Sequence, residues 1–368
     1  MAHTHVELGR GIGQRLKYSL QLLGLIAKCV SQIPFGNLKI VTPYVFNIAL
    51  FYILIFILNY IFNIYNSKNL HLKKKRIKFL FIRKILCFLL IILLIFNLAV
   101  YIYSLLDNSL KLYFIDVGQG DCTLIVTPNN KKILIDGGED KNEILVKYLL
   151  DRKIKQIDFL IISHFDNDHV GGLLNVMEEL KVKQVIIGNQ YENSENYGKF
   201  KEIVNKKRIK VFSIEASDVK KVNIEKNVYL EFLWPSDSYT INENVLNNNS
   251  LVVKLSYKSF SMLFTGDIEE VAENKILEQY KNNLSILNST ILKVAHHGSK
   301  TSSTSEFLDA VKPKIALIGV EEGNKFGHPN EEVINRLEEI KARIYRTDVM
   351  GEIVLRIDNK EKIKRKCN

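Results

Sequence analysis

Four apolar runs in this chain each end on a residue type that binds metals, and each has glycine beside that residue. KKILIDGG delivers Asp136, SMLFTGD delivers Asp267, and TILKVAHHGS delivers His296 and His297. The fourth run leads into IISHFDNDHVGG, which packs His164, Asp166, Asp168 and His169 into six residues. Imidazole nitrogens and carboxylate oxygens are the usual donors to hydrolytic divalent ions. Short β-branched runs of this kind read as strands, so the ligand types stand at strand ends, where glycine permits the sharp loops that turn them toward one point. One Asp/His cluster alone is also compatible with a solvated loop. Its recurrence at four strand ends points to a metal site.

At 368 residues the chain has room for two or more domains. A net charge of +11 suggests a nucleic-acid surface only if it is spread over the chain. Residues 1–108 carry 13 Lys plus Arg against 2 acidic residues, which is the whole excess. That excess lies beside the most apolar part of the sequence, the pattern of membrane flanks, so charge gives no argument for DNA binding. The cysteines, Cys29, Cys87, Cys122 and Cys367, form no CxxC pair. They support neither a zinc ribbon nor a disulfide framework and read as small buried apolar residues, with Cys367 a free thiol on a tail.

Tyr44–Phe62 and Ile85–Tyr103 are each 19 residues without a charge, interrupted only by Asn47, Asn59 and Asn97 among polar amides. At about 1.5 Å per residue such a helix reaches about 29 Å, close to the hydrocarbon thickness of a bilayer. Two spans are therefore predicted over 44–106, joined by a loop carrying Lys68, Lys73, Lys74, Lys75, Arg76, Lys78, Arg83 and Lys84. Short basic loops stay cytoplasmic, which places everything after Tyr103 outside the cell membrane. His71 reads as part of that solvated basic face, and His3 and His5 as inert terminal residues. Residues 1–16 lack signal-peptide character. Within an N-terminal segment 1–43, residues 16–33 are apolar at helical spacing and predict an amphipathic helix on the membrane surface.

From Leu110 the pattern changes to short β-like runs alternating with helical ones, which predicts a mixed sheet with helices outside it. Strands are expected at 112–115, 122–126, 133–135, 159–163, 185–187, 229–233, 251–256, 261–265, 291–295, 315–318 and 353–356. Helices are expected at 142–151, 172–180, 268–280, 306–311 and 331–340. The pattern amounts to a single α/β hydrolytic domain over 110–358 and a basic tail over 359–368. No internal repeat is visible, and 242–249 reads as a polar loop.

The order HxDxDHxGG, GD, HHGS resembles the metallo-β-lactamase fold. More narrowly, FIDVGQGD (114–121), LIDGG (134–138), HFDNDHVGG (164–172), NSLV (249–252), LFTGD (263–267), LKVAHHGSKTS (292–302), GHP (327–329) and YRTDVMGEI (345–353) resemble the C-terminal domain of ComEC-type competence proteins. The resemblance runs almost continuously over 111–357. It implies an α/β metallo-β-lactamase αββα sandwich preceded by two transmembrane helices. Residues 16–106 look like only the end of that family's channel region, whose other spans and OB-like domain have no counterpart here.

Carried over residue by residue, the resemblance assigns His164 and Asp166 to a first metal position, Asp168 and His169 to a second, and Asp267 to the bridge between them. A histidine of HHGS completes the second position, with His296 favoured because it directly follows the strand and His297 close behind. Paired ions of this kind activate water and hold the displaced oxygens of a phosphodiester. Asp166 replaces the histidine usual in the wider fold, and no histidine occurs between His169 and His296. The first position is left oxygen-rich and one ligand short, which favours manganese or magnesium over zinc. One or two divalent ions are expected, manganese or zinc, with magnesium a further option.

Asp168, Lys293 and His328 are the expected catalytic residues. Lys293 and Lys300 flank the histidine pair and are expected to stabilise phosphate charge, and Asn249 and Ser250 to bind substrate phosphate. His328 either protonates a leaving oxygen or is structural. Asp136 is expected behind the ligands, orienting a ligand loop. Asp116, Gln119 and Asp121 crowd the turn DVGQGD, and that turn is either structural or part of the site. Aromatic residues are scattered, so no base-stacking platform is apparent. The reading that results is a membrane-anchored metal-dependent phosphodiesterase of DNA uptake, a deoxyribonuclease that degrades the strand not imported, with DNA and other uptake components as partners. The alternatives are a DNA-guiding component without catalysis, or a metallo-hydrolase of another phosphoester or lactone.

Overall fold

The computed structural model describes residues 41–66, 72–139, 143–188, 194–214, 220–235, 241–358 and 363–366. The amphipathic helix expected at 16–33, and His3, His5, Cys29, Lys68, His71 and Cys367, lie outside the described residues. The chain divides between Val41 and Thr42 into two units, and the second holds every strand among the described residues.

Two sheets pack face to face. The eight-stranded sheet runs Ile363–Lys366, Ile353–Ile357, Leu110–Phe114, Thr123–Val126, Lys132–Ile135, Phe159–Ile162, Gln184–Gly188 and Lys210–Ile214. The seven-stranded sheet runs Arg343–Arg346, Ile315–Ile318, Ile291–Lys293, Phe260–Phe264, Val252–Tyr257, Val228–Trp234 and Lys220–Glu225. Leu112, Phe114 and Ile161 of the first meet Phe232, Leu255, Met262 and Phe264 of the second in one buried core. On the outer face of the second sheet, Leu263, Leu292 and Ala316 pack against Ile276, Phe307, Leu308, Val333 and Leu337 from three helices. Strand Ile315–Ile318 is buried at every residue because helices and core cover both its faces, as its parallel neighbours require.

The two sheets share a chain path. Each contains an antiparallel meander of three strands, Leu110 to Ile135 or Val228 to Phe264, that continues into three parallel strands, and the second sheet adds Lys220–Glu225 ahead of its meander. This repeat of topology is absent from the residue pattern, since chain path depends on which strands pair and not on matching side chains. Its consequence is that Asp136 and Asp267 follow equivalent strands, as do the clusters at His164 and His296. All four therefore emerge at strand C-terminal ends, where α/β sheets place their ligands.

The expected strands are all present with shifted ends; the sheet edges were missed. Lys210–Ile214, Lys220–Glu225, Arg343–Arg346 and Ile363–Lys366 are the outermost strands of the two sheets. Edge strands carry charges that blunt further pairing, and those charges hide the period of two. The tail is corrected accordingly, since Ile363–Lys366 pairs with Ile353–Ile357. Helix Glu195–Lys207, capped by Ser194 accepting from the Tyr197 N–H, was also missed because it buries only Phe200 and Ile203. Residues 242–249 contain a helical turn, Val245–Asn248. Cys122 is buried as expected, but Cys87 is exposed.

Ahead of the sheets stand helices Val45–Asn66 and Leu72–Leu106. Only Leu80–Ile102, 23 residues, is long and apolar enough to cross a membrane among the described residues; the apolar stretch of the other is shorter, Val45–Ile57. The Asn47 amide donates to Asn97 Oδ1 at 3.4 Å, and Asn97 to the Leu93 carbonyl at 2.8 Å, so two of the three amides in these runs are used between or within the helices. Phe51, Tyr52, Phe56, Phe81, Leu94 and Tyr101 are exposed. The expected basic loop is helical from Leu72 onward. Lys, Arg and Leu are good helix formers and no Gly or Pro interrupts them.

Candidate metal centre

Three loops are knitted into one floor by backbone hydrogen bonds. Asp121 N–H donates to Asp168 O at 3.2 Å, Gly137 N–H to His169 O at 2.7 Å, Gly138 N–H to Asp121 O at 2.9 Å, and Gly172 N–H to Gly138 O at 3.0 Å. The approach is close enough to demand glycine. A Cβ on Gly120, at φ +122°, would lie 2.1 Å from the Asp168 carbonyl oxygen, and one on Gly172 would lie 2.2 Å from that of Gly137. The glycines beside the ligands thus serve packing as well as turning.

On this floor Asp121, His169, Asp267 and His297 bring one ligand atom each to within 4.8 Å of one another. All four are buried. His169 Nδ1–H donates to Asp136 Oδ2 at 3.1 Å, and Asp136 Oδ1 accepts the Ser163 N–H at 2.8 Å. Asp136 therefore holds the His169 imidazole and the loop that carries it. His297 Nδ1–H donates to the Gly319 carbonyl at 2.8 Å, which leaves Nε2 directed at Asp168 Oδ2, 3.2 Å away, and Asp267 Oδ2, 3.4 Å away. The Nε2 atoms of His164, His169 and His297 are buried without a hydrogen bond. Each such group costs about 1–3 kcal/mol unless it finds a partner. Orphaned imidazole nitrogens facing carboxylates are what a divalent cation satisfies, so the residues present fit such an ion.

The favoured histidine is corrected. His296 has its side chain about a quarter exposed, places Nδ1 3.3 Å from Glu269 Oε1, and keeps Nε2 4.0 Å from Asp267. His297 takes the inward position because the strand stops at Lys293 and both histidines lie at positive φ, +49° and +53°, where strand alternation no longer applies. Asp121, from the turn DVGQGD, is a member of this buried cluster. The first-position pair lies beside the cluster, with His164 Nε2 3.5 Å from Asp166 Oδ2 and the His164 ring 4.1 Å from that of His169.

Lys293 is not placed to meet substrate. Its side chain is 3% exposed, and its ammonium donates to the Gly266 carbonyl at 2.8 Å, lies 3.3 Å from Asp267 Oδ1 and contacts the Asp121 carboxylate. Burial favours its neutral form, but Asp121 and Asp267 outweigh that and raise its pKa. The same field acts on the imidazoles. Burial opposes the charge on His297, yet Asp267, Asp121 and Asp168 hold its pKa up to about 10, and Asp267 and Asp136 raise His169 well above its ordinary value. Burial opposes the ionised Asp267 too, and His169, His297 and Lys293 keep it well below the usual carboxylate range. Excess negative charge at a buried point is the electrostatic condition for binding a cation.

Asn249 and Ser250 are spent on the protein itself. The Asn249 side chain accepts the Ile241 N–H at 3.0 Å and donates to the carbonyls of Ile241 and Val245 at 2.9 and 2.7 Å. Ser250 Oγ accepts the Asp267 N–H at 3.2 Å. Their expected contact with phosphate is replaced by positioning, because both side chains are buried and their polar atoms are used within the protein. Asn249→Ala accordingly destabilises the protein by about 2 kcal/mol through orphaned backbone groups while leaving metal affinity within twofold. Urea unfolding and calorimetric titration check both; unchanged stability with weakened metal binding would refute the assignment.

The other expected residues divide between rim and turn. Asp116 Oδ1 accepts the Gly118 N–H at 3.1 Å in a tight turn, and Gln119 Oε1 accepts from Glu321 at 3.5 Å. Lys300 is exposed on the loop after the histidines. His328 packs its ring 5.7 Å from His296. Burial, then the neighbouring His296 and His297, lower the His328 pKa from 6.5 to about 4. It is thus neutral at physiological pH and holds no proton for a leaving group. Because the unfolded chain takes up that proton near 6.5, His328 draws down folding stability as pH falls from 6.5 to 4. An imidazole titration followed by NMR should show a midpoint near 4; one near 6.5 would contradict the placement.

Residues 115–320 match the metallo-beta-lactamase superfamily. ComE operon protein 3 of Bacillus subtilis is 28% identical over 278 residues, 71% of this chain and 34% of the relative. Recombination protein 2 of Haemophilus influenzae is 29% identical over 290 residues, 77% of this chain and 33% of the relative. The chain spans about a third of the length of these curated relatives. Among solved structures, Igni18, a metallo hydrolase from Ignicoccus hospitalis, aligns over 67% of this chain and 98% of its own, with a TM-score of 0.44 and 13% identity. The chain belongs to the metallo-beta-lactamase superfamily, and its relatives over this domain include ComE operon protein 3 and the competence protein ComA of Neisseria gonorrhoeae.

Proposed function

We propose that the protein is a membrane-anchored, divalent-metal-dependent phosphodiesterase of DNA uptake, degrading the strand that is not imported. The observation that carries this reading is the buried cluster of Asp121, His169, Asp267 and His297 with its unpartnered imidazole nitrogens, in a chain whose relatives bear competence names. A bound ion, manganese or zinc with magnesium as a further option, supplies Lewis acidity toward a phosphoryl oxygen and lowers the pKa of water. The chain supplies the rest. Asp136 and the Gly319 carbonyl fix the two ligand imidazoles, and Lys293 offsets the carboxylates from below. Asp168 is partly exposed, and its carboxyl is held well below the usual range: burial works against ionisation, but His297 and His169 prevail. It faces solvent ionised, placed to orient a water by accepting its hydrogen bond. His164 and Asp166 offer a second, weaker position that substrate oxygens complete.

Anchoring is supported by the exposed apolar side chains of helices Val45–Asn66 and Leu72–Leu106, among them Phe51, Phe56, Phe81, Phe88, Leu94 and Tyr101, since exposed apolar surface of that extent needs a membrane or a partner. In this reading Leu80–Ile102 spans, the basic residues ahead of it are cytoplasmic, and the hydrolase domain is extracytoplasmic. The test is manganese-dependent cleavage of labelled single- and double-stranded DNA by the full chain in detergent. Cleavage abolished by chelation supports the proposal. A metal-loaded protein that cleaves neither strand form overturns it in favour of a guiding role.

A further inference from the structure

The loop after strand Ile315–Ile318 displays an aromatic ring that the fold does not need. Phe326 is 57% exposed in a domain that fully buries Phe114, Phe165, Phe232 and Phe307. Its ring stacks on His328, with centroids 5.8 Å apart and planes 23° from parallel. His328 meets His296 edge-on at 5.7 Å, and His296 meets His297 at 6.3 Å. A ladder of rings therefore leads from solvent to a residue of the metal cluster. Sequence order hides it, because the rungs lie on two loops some thirty residues apart.

The display is rigid. The Asn324 side-chain oxygen accepts both the Phe326 N–H, at 3.2 Å, and the His328 N–H, at 3.1 Å. Its amide donates to the carbonyls of Glu321, at 3.2 Å, and His328, at 2.6 Å. One side chain thus clamps the loop on both sides of the ring pair, and Gly327, at φ +69°, turns the backbone between them. Lys325 Nζ lies 5.2 Å from the Phe326 centroid, so a cation accompanies the ring. A pre-ordered, exposed aromatic ring with a cation beside it is the physical requirement for stacking an unpaired base and meeting its phosphate.

We infer that Phe326, backed by His328 and held by Asn324, forms a nucleobase subsite beside the metal centre, so that the substrate is single-stranded nucleic acid. The inference rests on the phosphodiesterase reading above and adds strandedness to it. In a duplex the base faces are occupied by their neighbours; in a single strand one is open to Phe326.

The test uses the full chain, a short fluorescein-labelled single strand, the same strand made abasic, and the duplex. Phe326→Ala should weaken binding of the normal strand by about tenfold or more, raise KM in the same proportion with little change in kcat, and leave abasic-strand binding and thermal stability unchanged. Phe326→Trp should restore tight binding. Equal binding of the normal strand by wild type and Phe326→Ala would overturn the inference, as would an equal loss on the abasic strand. If the wild type binds neither strand, the DNA reading itself fails and this one with it; if it binds and cleaves but ignores Phe326, only the subsite is wrong.

Discussion

Lys293→Met should destabilise the folded protein by about 3–5 kcal/mol, the usual consequence of removing one partner from a buried charge network. The lysine sits among Asp121, Asp267 and the Gly266 carbonyl with 3% of its side chain exposed, and its loss leaves two carboxylates buried without their fixed counter-ion. A methionine fills the volume, so the effect reports charge and not a cavity. For a domain of this size the change corresponds to about 10 °C in Tm. The same variant should recover part of the loss when manganese is added, because an ion offers the positive charge that the side chain no longer does. Denaturant melts with and without metal separate the two contributions. A change below about 1 kcal/mol would mean that Lys293 is solvated and the buried network misdrawn.

Asp168→Ala combined with His169→Ala should lower divalent-metal affinity by about a thousandfold or more. Altering a group that merely supports a ligand costs about 10–100-fold, and this variant removes a clustered ligand together with a carboxylate 3.2 Å from His297. Wild-type protein at a hundredfold excess over Kd should gain about 2.7 kcal/mol from the ion, and the double variant none. Calorimetric titration and the metal-induced rise in Tm read this without reference to any activity. The variant should also lose unliganded stability, because His169 is buried and its Nδ1–H hydrogen-bonds Asp136, so the metal-induced rise in Tm is compared with each protein's own unliganded Tm. A metal-induced stabilisation that survives in the variant would place the site elsewhere.

The ligand-bearing strand ends were legible because apolar β-branched runs with Asp or His and glycine at their C-terminal ends leave few foldings open. Asp136, His164, Asp166, Asp168, His169 and Asp267 fall on or beside one floor for that reason. What stayed hidden depends on three dimensions. The choice between His296 and His297 turns on two left-handed residues after a strand that ends two positions earlier than its apolar run suggests. Lys293 reads as the charged end of ILK, and only the closing of two sheets over it reveals a buried ammonium. Asp121 reads as a turn residue until the glycine floor brings it against His169, 3.9 Å from Nδ1. Asn249 and Ser250 carry the polarity of a binding site yet satisfy backbone and ligand from beneath. The missed edge strands share a cause: at a sheet edge one side of the ladder meets water, and the apolar alternation that marks a strand is diluted by lysine and arginine.

The most direct measurement is manganese-dependent cleavage of labelled DNA by the full chain, beside the Asp168→Ala, His169→Ala variant at a temperature where both are folded. The account predicts cleavage by the wild type that chelation abolishes and none by the variant. Folded, manganese-loaded wild type that leaves both single- and double-stranded DNA intact would contradict it.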